Sequence, residues 1–379
     1  MRHPRRPAVL LSLLLVVTAA TGGGESAPTT APATSSATTA ATTTVTTPDP
    51  TVPDPATTTT AEPTTTTVPE GTWHGAGTPE SQGMDPGVLA DLIEYVISTY
   101  PNIDALAVAR NGTVVLDAAF YPHEAETPHT VYSVTKSVVS TLIGIAIGQG
   151  LLDGVDVPVM EVLADHFPAQ IDDLKAAMTI EDVLTMSTGL ECRDSYLYRW
   201  QGLGEMRASD DWAGYVLGLP MREEPGTRFE YCNGASHVLS TILTEVTGGP
   251  ASAFATETLF GPLEIEEVTW REGPNQVSQG WAGISMRPAD MVKIGWLYLQ
   301  DGVWDGEQIL PAGYMEAATT PHVEAGTATD GYGYQWWVND DTVAAIGYGG
   351  QYILLVPDHD LVVAFVSGLA RNPGAPESL

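Results

Sequence analysis

Tyr132-Ser133-Val134-Thr135-Lys136 opens the stretch that decides the fold. An apolar helical pattern follows it (Val138, Val139, Leu142, Ile143, Ile145, Ala146, Ile147), and Gly150 stands just past the pattern as a stop. With Ser133 at the mouth of that helix, Lys136 lies three residues on, above it on the same face. A serine hydroxyl is a weak nucleophile and needs a base beside it. An ammonium held against apolar walls loses solvation, so its pKa falls and it can serve as that base. The helix N-terminus adds partial positive charge where an oxyanion forms. The chain has three lysines, and neither Lys175 nor Lys293 has a serine three residues before it. Alone, the same residues also fit a helix cap followed by an exposed lysine.

Two further stretches carry chemistry. Tyr231-Cys232-Asn233 precedes a helical run from Gly234 to Val246. A tyrosine near a cationic lysine can carry a proton between serine, leaving group and water; a core tyrosine fits the residues equally well. Gly347-Tyr348-Gly349-Gly350-Gln351 leads into an apolar strand. Its glycines let backbone approach a ligand, so that an N–H can face a reacting carbonyl. A plain glycine-rich turn is the other reading.

Around these stretches the pattern alternates between strand and helix. Asp85 to Thr99 has helical apolar spacing behind an Asp-Pro start. Ala105 to Ala109 and Val114 to Leu116 flank Asn111-Gly112, the strongest short hairpin signal. A helix-rich middle spans about 134–320, and strand character returns at Tyr334 to Val338, Tyr352 to Val356 and Leu361 to Val366. Strands at both ends around a helical middle predict an α/β (α+β) fold: one antiparallel sheet built from both termini, flanked by helices, with an inserted all-helical subdomain.

The N-terminal part reads differently. Arg2, Arg5 and Arg6 precede an apolar run from Ala8 to Val17 and then small residues, so 1–27 reads as a secretory signal too short to span a bilayer comfortably. A lipid anchor would need Cys where Thr21 stands. Residues 28–72 form a Thr/Pro/Ala tract with few apolar side chains, which reads as a disordered linker. The folded domain is then expected over 73–379. The chain carries 15 Lys+Arg against 47 Asp+Glu, net −32. Removing 1–27 takes away three Arg and Glu25, leaving 12 against 46, net −34. Such a surface repels nucleic acid and anionic membranes.

Taken in order, the three motifs resemble those of the serine β-lactamase and penicillin-binding-protein superfamily: Ser-x-x-Lys, then Tyr-x-Asn, then a glycine-bearing strand. The resemblance is to the class C-like branch of esterases, D-amino peptidases and 6-aminohexanoate-dimer hydrolases, and it runs from about residue 75. Met186-Ser187-Thr188-Gly189-Leu190, Arg287-Pro288-Ala289-Asp290-Met291 and Tyr332 to Trp337 are further family-like stretches. The resemblance implies a β-lactamase/transpeptidase-like fold and an acyl-enzyme on Ser133, with Lys136 and Tyr231 as general base and acid. It also implies oxyanion contacts from the backbone of Ser133 and Tyr348, and substrate contacts at Asn233, Gly347, Tyr348 and Gly350. No metal and no organic cofactor is expected, and neither is a nucleic-acid partner or a stable membrane insertion once the signal is cleaved. The expected partner is a small-molecule ester or amide substrate, met outside the cell or at its envelope.

This chain departs from the family pattern in three places. Family members often carry Lys or His ahead of the glycine of the third motif; here Ala345-Ile346-Gly347 has no cation, so weak activity on β-lactams is expected. The usual C-terminal helix is short or missing after Val366. Cys232 sits inside Tyr-x-Asn. Cys192 and Cys232 are the only cysteines, and an exported chain meets an oxidising compartment, so a disulfide is expected between them. Glu191 to Trp212 is expected to form an acidic wall of the pocket; its acids could pair with a substrate amine, but a solvated surface is the favoured reading. No Gly-x-Ser-x-Gly, His-Glu-x-x-His or Cys-x-x-Cys occurs, and His129, His166, His237, His322 and His359 are scattered. The reading from another class is a catalytically silent envelope-binding protein that keeps the fold.

Overall fold

The computed structural model describes residues 71–194, 200–326 and 329–368. The 1–27 leader, all but the last two residues of the 28–72 linker, and the stretch after Gly368 lie outside the described residues.

The strands are β1 (Gly75–Ala76), β2 (Ile103–Arg110), β3 (Thr113–Ala119), β4 (His129–Thr130), β5 (Thr269–Trp270), β6 (Ile284–Met286), β7 (Val303–Trp304), β8 (Glu307–Gln308), β9 (Gly331–Tyr332), β10 (Trp337–Val338), β11 (Val343–Gly347), β12 (Gln351–Val356) and β13 (Leu361–Ser367). The main sheet runs β1-β3-β2-β13-β12-β11-β10-β9. The two ends of the described chain therefore meet at its centre, where β2 pairs antiparallel with β13, Ala107 opposite Ala364. The sheet is antiparallel except at its edge, where β1 runs parallel to β3. Asn111 and Gly112 turn β2 into β3 with φ of 48° and 71°, the left-handed pair that a two-residue hairpin requires.

Helices cover both faces, which is why β12 and β13 are apolar and buried along their whole length. On one face lies α1 (Pro86–Thr99), which presents Leu89, Leu92 and Val96 to Leu106, Val363 and Phe365. Asp85 caps it by accepting the Gly87 N–H at 2.7 Å, and Pro86 fills the first turn, where no donor is needed. On the other face lie α2 (Val134–Gly148) and α5 (Pro288–Leu299), with α4 (Asn233–Thr247) packed on α2 and α3 (Gln201–Arg207) packed on α4. α2 and α4 pack on each other and are buried nearly all round, so their apolar residues do not form a single stripe.

One sequence expectation needs correction. Tyr334 to Val338 reads as a strand, but only Trp337–Val338 is one. Gln335 stands in between with φ of 63° and is fully engaged. Its Nε2 donates to the carbonyls of Val183 (3.1 Å) and Leu184 (2.6 Å), and its Oε1 accepts the Ser236 hydroxyl (2.7 Å). Its own carbonyl accepts the Ser137 hydroxyl at 2.8 Å. The residue that alternation would place in a strand instead ties α2 and α4 to the edge of the sheet. Among the described residues no helix is long and apolar enough to cross a membrane.

Candidate active site

Three N-terminal or edge positions converge. Ser133 caps α2, Cys232 caps α4, and Gly347 ends β11. The small sheet β4-β6-β5 closes the side, with the Val131 N–H donating to the Ile284 carbonyl at 3.0 Å. Tyr132, just before Ser133, has φ of 46°. A bulky side chain seldom adopts that conformation unless its surroundings impose it. Its ring meets that of Tyr348 edge-on, with centroids 5.9 Å apart.

Ser133 makes no side-chain cap bond to its helix. Its Oγ instead lies 3.0 Å from Lys136 Nζ and accepts from the Tyr231 hydroxyl at 3.0 Å. The exposed lysine of the helix-cap reading is absent: Lys136 is 1% exposed. Its Nζ also donates to Asn233 Oδ1 (2.8 Å) and to the Trp281 carbonyl (2.9 Å), and lies 5.0 Å from the centre of the Tyr231 ring. Burial drives its pKa well below the ordinary lysine value, against the opposing pull of Asp194. Burial likewise pushes the Tyr231 phenol up, so it stays protonated.

Ser133 and Tyr231 border a cavity of about 560 Å³. Gly347, Tyr348 and Asn233 line it, and Gly350 does not. Gly350 serves the turn between β11 and β12, with φ of 102°, and an added Cβ would come within 3.0 Å of the Ser367 hydroxyl. Neither the Ser133 nor the Tyr348 N–H donates to a backbone carbonyl among the described residues. Ala345 is buried in the core, so the β11 position that lacks a cation contributes packing.

The sequence reading passes over Asp194. Among the acids of Glu191 to Trp212, all expected to be solvated, Asp194 is buried at the cavity wall. Its Oδ2 accepts the Asn233 N–H at 2.9 Å and its Oδ1 the Leu203 N–H at 2.6 Å. Burial raises its pKa, and these bonds oppose the rise. The signal that could have found it is its place two residues after Cys192. That cysteine is bonded to Cys232, which fixes the segment beside Tyr231 and Asn233.

The histidines are less scattered than they read. His123 Nε2 lies 3.0 Å from Asp104 Oδ1, and His129 Nδ1 lies 3.7 Å from Asp104 Oδ2. The ligand atoms of these three residues lie within 4.8 Å of one another, close enough to share one cation. His237 is buried against Trp212 and Trp281.

Residues 102–377 match the family described as Beta-lactamase. A 6-aminohexanoate-dimer hydrolase of Paenarthrobacter ureafaciens is 26% identical over 294 residues, covering 70% of this chain and 72% of that protein. A candidate 6-aminohexanoate-dimer hydrolase from Bacillus anthracis superposes with a TM-score of 0.63 at 20% identity, over 74% of this chain and 76% of that one. EstCE1, a hydrolase with promiscuous acyltransferase activity, does so with a TM-score of 0.60 at 18% identity, over 74% and 92%. At those identities the two solved structures speak for the fold.

Proposed function

Because the chain belongs to the β-lactamase family of serine hydrolases, we propose that it cleaves an ester or amide through an acyl-enzyme on Ser133. The observation that carries this reading is the pair of 3.0 Å contacts that Lys136 Nζ and the Tyr231 hydroxyl make to one Ser133 oxygen.

The chemistry follows from counting hydrogens. A neutral lysine amine has two N–H bonds and one lone pair. Asn233 Oδ1 and the Trp281 carbonyl take the two hydrogens, which aims the lone pair at Ser133. The Ser133 proton passes to Lys136 as Oγ bonds to the substrate carbonyl carbon. The Ser133 and Tyr348 amides receive the oxyanion, beside the positive end of α2. Tyr231 gives its proton to the departing alkoxide or amine as the carbonyl–leaving-group bond breaks. The proton held by Lys136 then restores Tyr231. Water attacks the acyl-enzyme by the reverse proton path, giving up one proton while Ser133 regains one.

The Cys192–Cys232 disulfide supports export through the 1–27 leader into an oxidising compartment. A silent envelope-binding protein would need no lysine desolvated beside a serine. Labelling by a fluorophosphonate probe, lost in Ser133→Ala, tests the reading. A wild-type protein that takes no label and turns over no ester or amide refutes it.

A further inference from the structure

We propose that Arg271 and Arg207 form an anion-binding subsite in the Ser133 cavity, so that the substrate carries a carboxylate. This rests on the acyl-enzyme reading of Ser133 and adds the substrate class to it.

The argument is one of unspent charge. In a chain of net charge −32, a basic side chain readily meets an acid. Arg193, Arg222, Arg228, Arg287 and Lys293 all lie within ion-pair distance of Asp or Glu. Arg110 and Lys175 donate to backbone carbonyls, and Lys136 is held as described. Among the described residues, the guanidinium groups of Arg207 and Arg271 make no hydrogen bond or ion pair, and both residues line the cavity that holds Ser133. Asp194 is the one acid among the described lining residues, and two backbone N–H groups occupy its oxygens. The charges the cavity leaves free for a ligand are therefore positive, contrary to the acidic wall expected from the sequence.

Both arginines stand on fixed backbone. The Arg271 N–H donates to the Gly283 carbonyl at 3.0 Å, and the Arg271 carbonyl accepts the Gln279 N–H at 2.9 Å. That places Arg271 on the turn whose Trp281 carbonyl holds Lys136. Arg207 ends α3, which Asp194 fixes through Leu203. A guanidinium matches a carboxylate with two parallel N–H bonds. The cation that penicillin-recognising relatives place on the third-motif strand is missing at Ala345, and these arginines enter from other elements.

Two matched ester pairs test this. In 4-nitrophenyl hydrogen adipate against its methyl ester the charge is on the acyl side. In 4-carboxyphenyl acetate against its methyl ester it is on the leaving group. In at least one pair, kcat/KM for the anion exceeds that for the neutral ester at least tenfold. That ratio falls tenfold or more in R271Q and in R207Q and drops below one in the R207E/R271E double variant. Equal rates within both pairs, or ratios unmoved by the substitutions, overturn the subsite. Calorimetry on Ser133→Ala reads it without turnover: adipamate binds at least tenfold more tightly than adipamide, and adding R271Q removes the difference. Equal binding of the two by Ser133→Ala overturns the subsite even where esters are cleaved. Selective adipamate binding with no ester or amide cleaved by the wild type sustains the subsite and fails the hydrolase reading alone.

Discussion

Asp194 accepts the backbone N–H of Asn233 at 2.9 Å, and the side chain of that same Asn233 holds the amine of Lys136 at 2.8 Å. Asp194 thus acts on Lys136, the proposed base, in two ways. It fixes the residue that orients the amine, and its charge pulls the Lys136 pKa upward against burial. Asp194→Asn removes the charge while keeping the shape. With that pull gone the Lys136 pKa falls further, the amine stays neutral in more acidic solution, and the acid limb of kcat/KM moves to lower pH. The loosened Asn233 lowers kcat roughly tenfold or more, on the order of a lost charge-assisted hydrogen bond. A profile whose acid limb stays in place, or moves up, removes Asp194 from this role.

Ser133→Ala abolishes turnover and leaves the far-ultraviolet circular dichroism unchanged, since Ser133 makes no cap bond to α2. Lys136→Ala loses several orders of magnitude in kcat, because the base acts in the same step as the nucleophile. Tyr231→Phe keeps the ring against Trp337 (centroids 6.2 Å apart) and loses only the hydroxyl. It therefore slows an amide, whose amine must leave protonated, more than a 4-nitrophenyl ester, whose leaving group needs no proton. Equal losses on the two substrates would falsify the acid role of Tyr231.

Motif order and periodicity made much of the fold legible. The hairpin at Asn111-Gly112, the α1 start at Asp85 and the apolar strands β12 and β13 each carry a local signal strong enough to stand alone. Gln335 departs from the strand that alternation predicts because its conformation is set by partners at 137, 183, 184 and 236, which no window around it contains. In the site, Ser133, Lys136 and Tyr231 sit in motifs whose spacing carries the chemistry. Asp194, Trp281, Arg207 and Arg271 do not. Trp281 contributes a backbone carbonyl, which any residue has, and the arginines matter because their guanidinium groups are left without an ion-pair partner among the described residues, a property of three-dimensional surroundings.

The Cys192–Cys232 bridge closes a loop of sequence separation 40 and joins the cavity wall to the Tyr231 segment. Closing a loop of that size stabilises the fold by about 3–4 kcal/mol. The Cys192→Ala/Cys232→Ala double variant shows that loss in urea denaturation. Its kcat falls along with stability, since Asp194 lies two residues from one cysteine and Asn233 one from the other. A variant that loses stability with kcat intact separates the bridge from the site.

Acid stability tests the buried histidine of α4. The His237 ring packs against both Trp212 and Trp281, with centroids 5.2 and 5.5 Å away. Burial pushes its pKa down to about 3; Asp211 opposes the shift and His166 adds to it. The sign follows from proton counting. Between about pH 6.5, where an unfolded histidine titrates, and about pH 3, the unfolded chain binds a proton that the folded one refuses. The stability contributed by neutral His237 is therefore complete above that upper value and is lost as pH falls, by about 1.4 kcal/mol per pH unit. His237→Asn cannot titrate. Its folding free energy is lower at neutral pH because packing against the two indoles is lost. The gap to the wild type then narrows as pH drops, by roughly 2–3 kcal/mol between pH 6.5 and 4.5. The carboxylates titrate in both proteins and cancel in the difference. Urea titrations of both proteins at several pH values give that difference directly, and parallel curves from pH 7 to 4.5 would mean that His237 takes up its proton in the folded state.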